Sequence, residues 1–213
     1  MSGYFITVEG IEGVGKTTQI HAIRAWLEAR GRRVVTTREP GGTPLAERLR
    51  ELVLKPQGEP VGAISELLLM FAARSVHLDN LVRPALAAGA VVVCDRFTDA
   101  TYAYQGTGRG ISEAAICVLE QLVQGSLRPD LTLLLDAPAE IGLGRAAKRR
   151  DPSGADRFET ERVDFFRKVR DTYLARARVE PDRMVIIDAR RSASDVSADI
   201  ENVLAARLIA HAS

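Results

Sequence analysis

The string Gly10-Ile11-Glu12-Gly13-Val14-Gly15-Lys16-Thr17 follows directly on the apolar, β-branched run Tyr4 to Glu9 and leads into a stretch of helical spacing that Gly31 stops. A strand, a turn of the form G-x-x-x-x-G-K-[ST] and a helix, in that order, constrain the chain to open as a parallel α/β unit. The residue types suit one chemistry. Glycines let successive backbone N–H groups converge on phosphate oxygens, and the helix that starts near Lys16 adds its positive dipole end. Lys16 reaches the β and γ phosphates and the Thr17 hydroxyl can ligate Mg²⁺. Residues Gly10, Ile11, Glu12, Gly13, Val14, Gly15, Lys16, Thr17 and Thr18 are therefore expected around the phosphates of a nucleoside triphosphate.

Further β-branched or apolar runs occur at Val34 to Thr37, Val91 to Cys94, Leu131 to Asp136 and Met184 to Asp188. Between them lie stretches of helical period: Thr17 to Arg30, Pro44 to Leu54, Ile64 to Ala88, Ser112 to Gln124, Ala139 to Arg149, Glu161 to Glu180 and Ala193 to Ala210. Pro84 should kink or end the third. The alternation predicts βαβ units, and the nearly unbroken apolar strands at 91–94 and 131–135 predict helices on both faces of the sheet. Such sheets bind ligands at the carboxyl ends of their strands. Glu9, Arg38, Asp95, Asp136 and Asp188 are the polar residues to inspect there.

No repeat or linker divides residues 1–213, so one domain is expected. Lys+Arg number 29 against 28 Asp+Glu, a net +1, and this balance argues against a nucleic-acid polymer or a membrane surface as partner. No apolar window reaches the length of a membrane span and the first residues lack the features of a signal peptide, so a cytoplasmic protein is expected. Cys94 and Cys117 lack metal spacing and are expected to be buried small hydrophobes. The three histidines, His21, His77 and His211, lack metal spacing, and Trp26 and Tyr173 fit packing positions on amphipathic helices.

Among phosphate-loop proteins, a signalling GTPase would carry Asn-Lys-x-Asp, but Asn80 and Asn202 are not followed by Lys. A motor ATPase would end an apolar strand in an acidic pair, whereas the third strand here ends in Asp95-Arg96. Thr37-Arg38-Glu39-Pro40-Gly41-Gly42-Thr43, Leu69-Met70-Phe71-Ala72-Ala73-Arg74, Cys94-Asp95-Arg96-Phe97 and Ala103-Tyr104-Gln105-Gly106 follow the loop in order. Together with Val8 to Thr18 these segments resemble the bacterial thymidylate kinases, from the first strand to about Glu161.

The resemblance implies a doubly wound five-stranded parallel sheet of the phosphate-loop kinase type with a mobile lid. It implies transfer of the γ-phosphoryl of ATP to dTMP with Mg²⁺, and a homodimer formed through apolar helices, for which Leu67-Leu68-Leu69-Met70 with Leu78, Val82 and Leu86 could supply surface or could equally be internal core. Phe71 would stack on the acceptor base, and Arg74, three residues on and on the same helix face, would bond its O4. Thr101 and Gln105 would contact the base edge, Tyr104 would crowd a ribose 2′-OH, and Glu12 would take the 3′-OH. Arg38 and Arg96, with Arg50, would hold the 5′-phosphate. Asp95 would hold Mg²⁺ or orient Arg96. The polar segment at about 145–157 would be the lid, with Arg149 as first choice for an arginine finger ahead of Arg145 and Arg150, and Arg145 also near ATP. A deoxynucleoside kinase would need a carboxylate base, for which Glu39 or Glu12 could serve, but Arg38 plus Arg96 favour an anionic acceptor.

Overall fold

The computed structural model describes residues 3–55, 57–148 and 161–212. Strands β1 (Tyr4–Glu9), β2 (Val34–Arg38), β3 (Val91–Asp95), β4 (Leu131–Asp136) and β5 (Met184–Asp188) form one sheet in the order β2-β3-β1-β4-β5. All four pairings are parallel. The phosphate loop thus leaves the central strand, where the strand order reverses, the place where open α/β sheets bind ligands.

Alternate residues of β1 and β3 serve different layers. Phe5, Val92 and Cys94 pack with Leu78, Val82 and Phe97. Ile6, Val8, Val91 and Val93 belong instead to the larger core that includes Ile20, Ile23 and Leu27. Those three residues lie on helix α1 (Lys16–Glu28), which starts from Gly15 in the left-handed region (φ 98°) with no side-chain cap. Its first N–H groups are therefore left to bond a ligand rather than a capping side chain.

After α2 (Pro44–Leu54), capped by Thr43, the periodic stretch expected as one helix is divided. Helix α3 (Ala63–His77) passes into a π-helical segment, Leu78–Val82, and then a short α4 (Arg83–Ala87). Pro84 has no N–H to give and its ring clashes with the carbonyl four residues back, so the wider turn just before it absorbs the misfit. A second π-helical segment, Tyr102–Gly108, follows α5 (Thr98–Thr101). It carries several candidate site residues in a region the period reading did not mark as helical. Helices α6 (Glu113–Gln124), α7 (Ala139–Ala147), α8 (Val163–Val179) and α9 (Ala193–Ala212) complete the chain.

One expectation needs correction and one open alternative is decided. Cys117 is exposed, because α6 turns Ile116, Glu120 and Gln124 inward at a spacing of four residues and leaves its neighbour outside. Leu67, Met70, Leu78 and Val82 are core residues. Leu68, from the same run, is exposed, as are Ile64 of α3 and Val118 and Leu122 of α6.

Candidate active site

The phosphate loop is held open by its glycines and by α7. Gly10 and Gly13 have φ of 132° and 76°, conformations that a side chain resists. A Cβ on Gly13 would lie 1.8 Å from the carbonyl oxygen of Gly142, and one on Gly142 would lie 2.5 Å from that of Glu12. Lys16 Nζ donates to the carbonyls of Gly10 (3.2 Å) and Ile11 (3.1 Å), folded along the loop. Burial, followed by the nearby Arg96, lowers its pKa below the usual lysine value. A phosphate beside it would relieve both effects.

Three hollows adjoin the loop. The first, of about 380 Å³, lies on its α9 side between Gly13, Gly15, Thr18, Arg145, Arg191 and Val196. Arg145 donates to the carbonyls of Ala189 (2.7 Å) and Arg190 (3.1 Å), which fixes it across the chain that follows β5. Sequence reasoning found Arg145 but missed that following segment, Ala189 to Ala193, and Gln19 of α1, which also lines the cavity. The position of this segment directly after the last strand was the available signal, since ligands gather at strand ends.

The second hollow, narrower at about 70 Å³, runs between Glu12, Arg50, Met70, Arg96, Tyr104 and Gln105. Arg96, in the left-handed region at φ 67°, donates to Glu12 (2.8 Å) and to the Tyr173 hydroxyl (3.3 Å), and its guanidinium lies 4.7 Å from the centre of the Tyr104 ring. Tyr104 donates to both oxygens of Glu12 at 3.0 and 2.9 Å. Tyr173 in turn donates to Glu9 at 2.7 Å, and the Phe97 N–H reaches the other Glu9 oxygen. Burial first, and then the charge of Asp99, push the Glu9 carboxyl up to about 8. Tyr173, read from the sequence as packing, thus ties α8 to the residue that would meet an acceptor phosphate.

Behind this cleft Arg74 is fully buried. It donates to Glu39 (2.7 Å) and Thr101 (2.8 Å), while His77 bonds Glu39 and Thr37. Arg74 Nη1 and Gln105 Oε1 are buried and without a hydrogen-bond partner, which is costly unless a ligand completes them. Phe71 packs with Leu67, Tyr102 and Ile116, 4.7 Å from the Arg74 guanidinium, and does not line the cleft.

The third hollow, about 360 Å³, contains Thr17, Asp95, Thr37, Arg38, Gly42 and Glu47. Arg38 is held by Glu47 at 2.9 and 3.2 Å, so Arg38 and Arg96 line different hollows, and it is Arg50 that shares the cleft with Arg96. Among the strand-end carboxylates, Asp136 is paired with Arg170 and Asp188 with Arg190. Asp95 Oδ1 is buried without a partner. A hydroxyl and an open carboxylate facing one hollow fit the oxygen ligands that Mg²⁺ takes alongside water and phosphate. Of the lid at about 145–157, only 145–148 fall within the described residues; Arg149 and Arg150 lie outside them.

The thymidylate kinase family model matches residues 8–200. The chain belongs to the thymidylate kinase family. Thymidylate kinases from Pseudomonas syringae pv. tomato and Ectopseudomonas mendocina are 58% and 56% identical to it over 204 residues, with 96% of each chain covered. The crystal structure of thymidylate kinase from Ehrlichia chaffeensis superimposes with a TM-score of 0.76 at 35% identity, covering 96% of this chain and 99% of that one. As a member of the thymidylate kinase family the chain is an ATP-dependent kinase, and its five-stranded parallel sheet is that of the phosphate-loop kinases. Among the described residues no helix is long and apolar enough to cross a membrane.

Proposed function

We propose that ATP occupies the cavity on the α9 side of the phosphate loop and dTMP the cleft on its Arg96 side, so that the γ-phosphoryl of ATP passes to the 5′-phosphate of dTMP. The observation that carries this is the pairing of one phosphate loop with a second cleft holding Arg96 and Arg50, backed by the open donor of Arg74 and the open acceptor of Gln105. An oxygen of the dTMP phosphate attacks the γ-phosphorus in line, the bond to the β-phosphate oxygen breaks, and ADP and dTDP result. The attacking oxygen is already anionic, so no strong base is required and the work is positioning and charge stabilisation.

Lys16 leaves the loop carbonyls to bond the β and γ phosphates. Arg96, fixed by Glu12 and Tyr173, holds the acceptor phosphate with Arg50, and Arg38 joins them only by leaving Glu47. Glu12, held between Arg96 and Tyr104, takes the 3′-OH, and the Tyr104 ring limits room at the 2′ position. Arg74, Thr101 and Gln105 read the base edge, and Phe71 supports Arg74 and the base from the core side. The cleft is much smaller than nucleotide pockets, which run to about 300 Å³ or more, so it widens when dTMP enters. Mg²⁺ held by Thr17 and Asp95 would offset charge on the β and γ phosphates. Arg149 completes the reading as the arginine finger, with Arg145 against the nucleotide.

Family membership also supports a homodimer in the cytoplasm, for which Ile64, Leu68, Val118 and Leu122 offer neighbouring exposed apolar residues on α3 and α6. The test of the activity is ADP release from Mg·ATP with dTMP, dUMP, dCMP or thymidine. Turnover with dTMP, little with dCMP and none with thymidine is expected; turnover with thymidine would make the acceptor a nucleoside and remove the phosphate roles of Arg96 and Arg50.

A further inference from the structure

Glu66 is wholly buried on α3, yet it is acidic and lies outside both nucleotide clefts. Its Oε1 accepts a bond from Gln105 Nε2 at 3.0 Å and another from Arg109 Nε at 3.3 Å. Arg109 also pairs with Glu161 and lies over the Phe165 ring, 5.3 Å from its centre, so the guanidinium is anchored from α8 and keeps a cation against Glu66. A carboxylate paired with Arg can only accept hydrogen bonds, whereas the two ends of a Gln amide are a donor and an acceptor that can exchange by a half-turn.

We infer that Glu66 is a positioning residue for base selection: its carboxylate locks the Gln105 amide with NH₂ toward Glu66 and Oε1 away from it, so that Gln105 presents only an acceptor to the bound base. This rests on the proposal that the cleft takes a pyrimidine nucleotide. Gln105 Oε1 is the buried, unpartnered acceptor noted above, and Arg74 Nη1 is the matching unpartnered donor. Thymine offers O4 as acceptor and N3–H as donor, which complements that pair. Cytosine offers the reverse, an amino donor at position 4 and an acceptor at N3. Arg74 cannot reverse its polarity, and Glu66 prevents Gln105 from doing so. A wrong base then leaves two buried groups unsatisfied rather than one, which multiplies the discrimination.

The test is the ratio of kcat/KM for dTMP to that for dCMP in wild type, Glu66→Met and Glu66→Asp, alone and in a Gln105→Ala background. Because Arg109 donates to the same oxygen as Gln105, a Gln at 66 would keep its amide oxygen there and hold Gln105 as before, whereas Glu66→Met removes the acceptor, so the Gln105 amide is free to turn and the ratio is expected to fall by about tenfold, the equivalent of one buried hydrogen bond to a misplaced group. Glu66→Asp keeps an acceptor-only partner and should preserve the ratio even where KM rises. In the Gln105→Ala background, Glu66→Met should change the ratio no further. An unchanged ratio in folded Glu66→Met, or an equal fall in the Gln105→Ala background, overturns the inference. Wild-type protein supplies a second measurement that needs no variant: dTMP methylated at N3 should have a KM at least about tenfold higher than dTMP, since it offers Gln105 no donor. Equal KM values for the two overturn the inference as well. Absence of turnover with dTMP in wild type would instead overturn the parent reading, and is seen before any variant is made.

Discussion

At the scale of single residues, charge at the phosphate loop is arranged so that each cation has a resting partner it can give up. Lys16 rests on two loop carbonyls and Arg96 on Glu12 and Tyr173. Lys16→Ala should lower kcat by about a hundredfold or more, in the range seen when one preorganised donor to a developing charge is removed, with the circular dichroism melting curve little changed. Near-normal turnover in that variant would exclude the role given to Lys16. Arg96 tests differently, through its support. Tyr173→Phe keeps the ring in the core and removes only the hydroxyl that meets both Arg96 and Glu9. The loss of one net hydrogen bond of about 1 kcal/mol corresponds to roughly a fivefold rise in KM for dTMP with a smaller change in KM for ATP. Equal shifts in both constants would mean that Tyr173 acts on the fold as a whole and not through Arg96.

Elements explain which parts of this architecture were readable in the residues beforehand. All five strands and their parallel direction follow from short apolar runs separated by helical spacing, because buried parallel strands leave a strong local signature, whereas the doubly wound arrangement came from the family resemblance. The phosphate loop was equally plain. What period reading missed lies where the helix is not α: Pro84 converts Leu78–Val82 to a π-helical turn, and Tyr102–Gly108, just after Thr101, is π-helical too, so Tyr104 and Gln105 are buried on a short element that looked like a loop. Tyr173, Glu66 and Arg109 were missed for another reason: their partners are 39 to 164 residues away, as with Gln105 and Glu9, and no local pattern encodes such pairs. Gly13 belongs to this class. The loop pattern leaves its position free, but helix α7 approaches so closely that a Cβ would meet the Gly142 carbonyl at 1.8 Å. Gly13→Ala must therefore displace α7 or the loop, and at φ 76° it is strained besides. ATP affinity by calorimetry should fall at least about tenfold, the effect of 1.4 kcal/mol, and an unchanged affinity would show that α7 gives way without cost.

Over the whole molecule, the apolar residues that the core does not use and the acids that it does bury give two separate expectations. Ile64 and Leu68 on α3 lie one turn apart, as do Val118 and Leu122 on α6, and the two helices pack together. A homodimer formed there would cover all four, so Leu68→Glu with Leu122→Glu should shift sedimentation from dimer to monomer; a variant that stays dimeric would place the interface elsewhere. One of the buried acids is Glu9, at the end of the central strand, where Tyr173 of α8 and the Phe97 N–H bond it. Its folded pKa is raised to about 8 by burial and by Asp99, while in the unfolded chain it should be near the ordinary carboxyl value of 4.5. Between those values the folded protein holds a proton that the unfolded chain has released. Stability from this group is therefore complete below about pH 4.5 and is lost as pH rises through about 8, with a slope of at most about 1.4 kcal/mol per pH unit for one proton. Glu9→Gln cannot titrate, so whatever its absolute stability, its unfolding free energy relative to wild type should climb across that window and level off above pH 8. Denaturant unfolding at pH 5, 6, 7 and 8.5 measures the difference. Parallel curves for the two proteins would mean that Glu9 is ionised throughout, carried by Tyr173, the Phe97 N–H and the charge of Arg96, and that the buried centre of the site holds a carboxylate at every working pH.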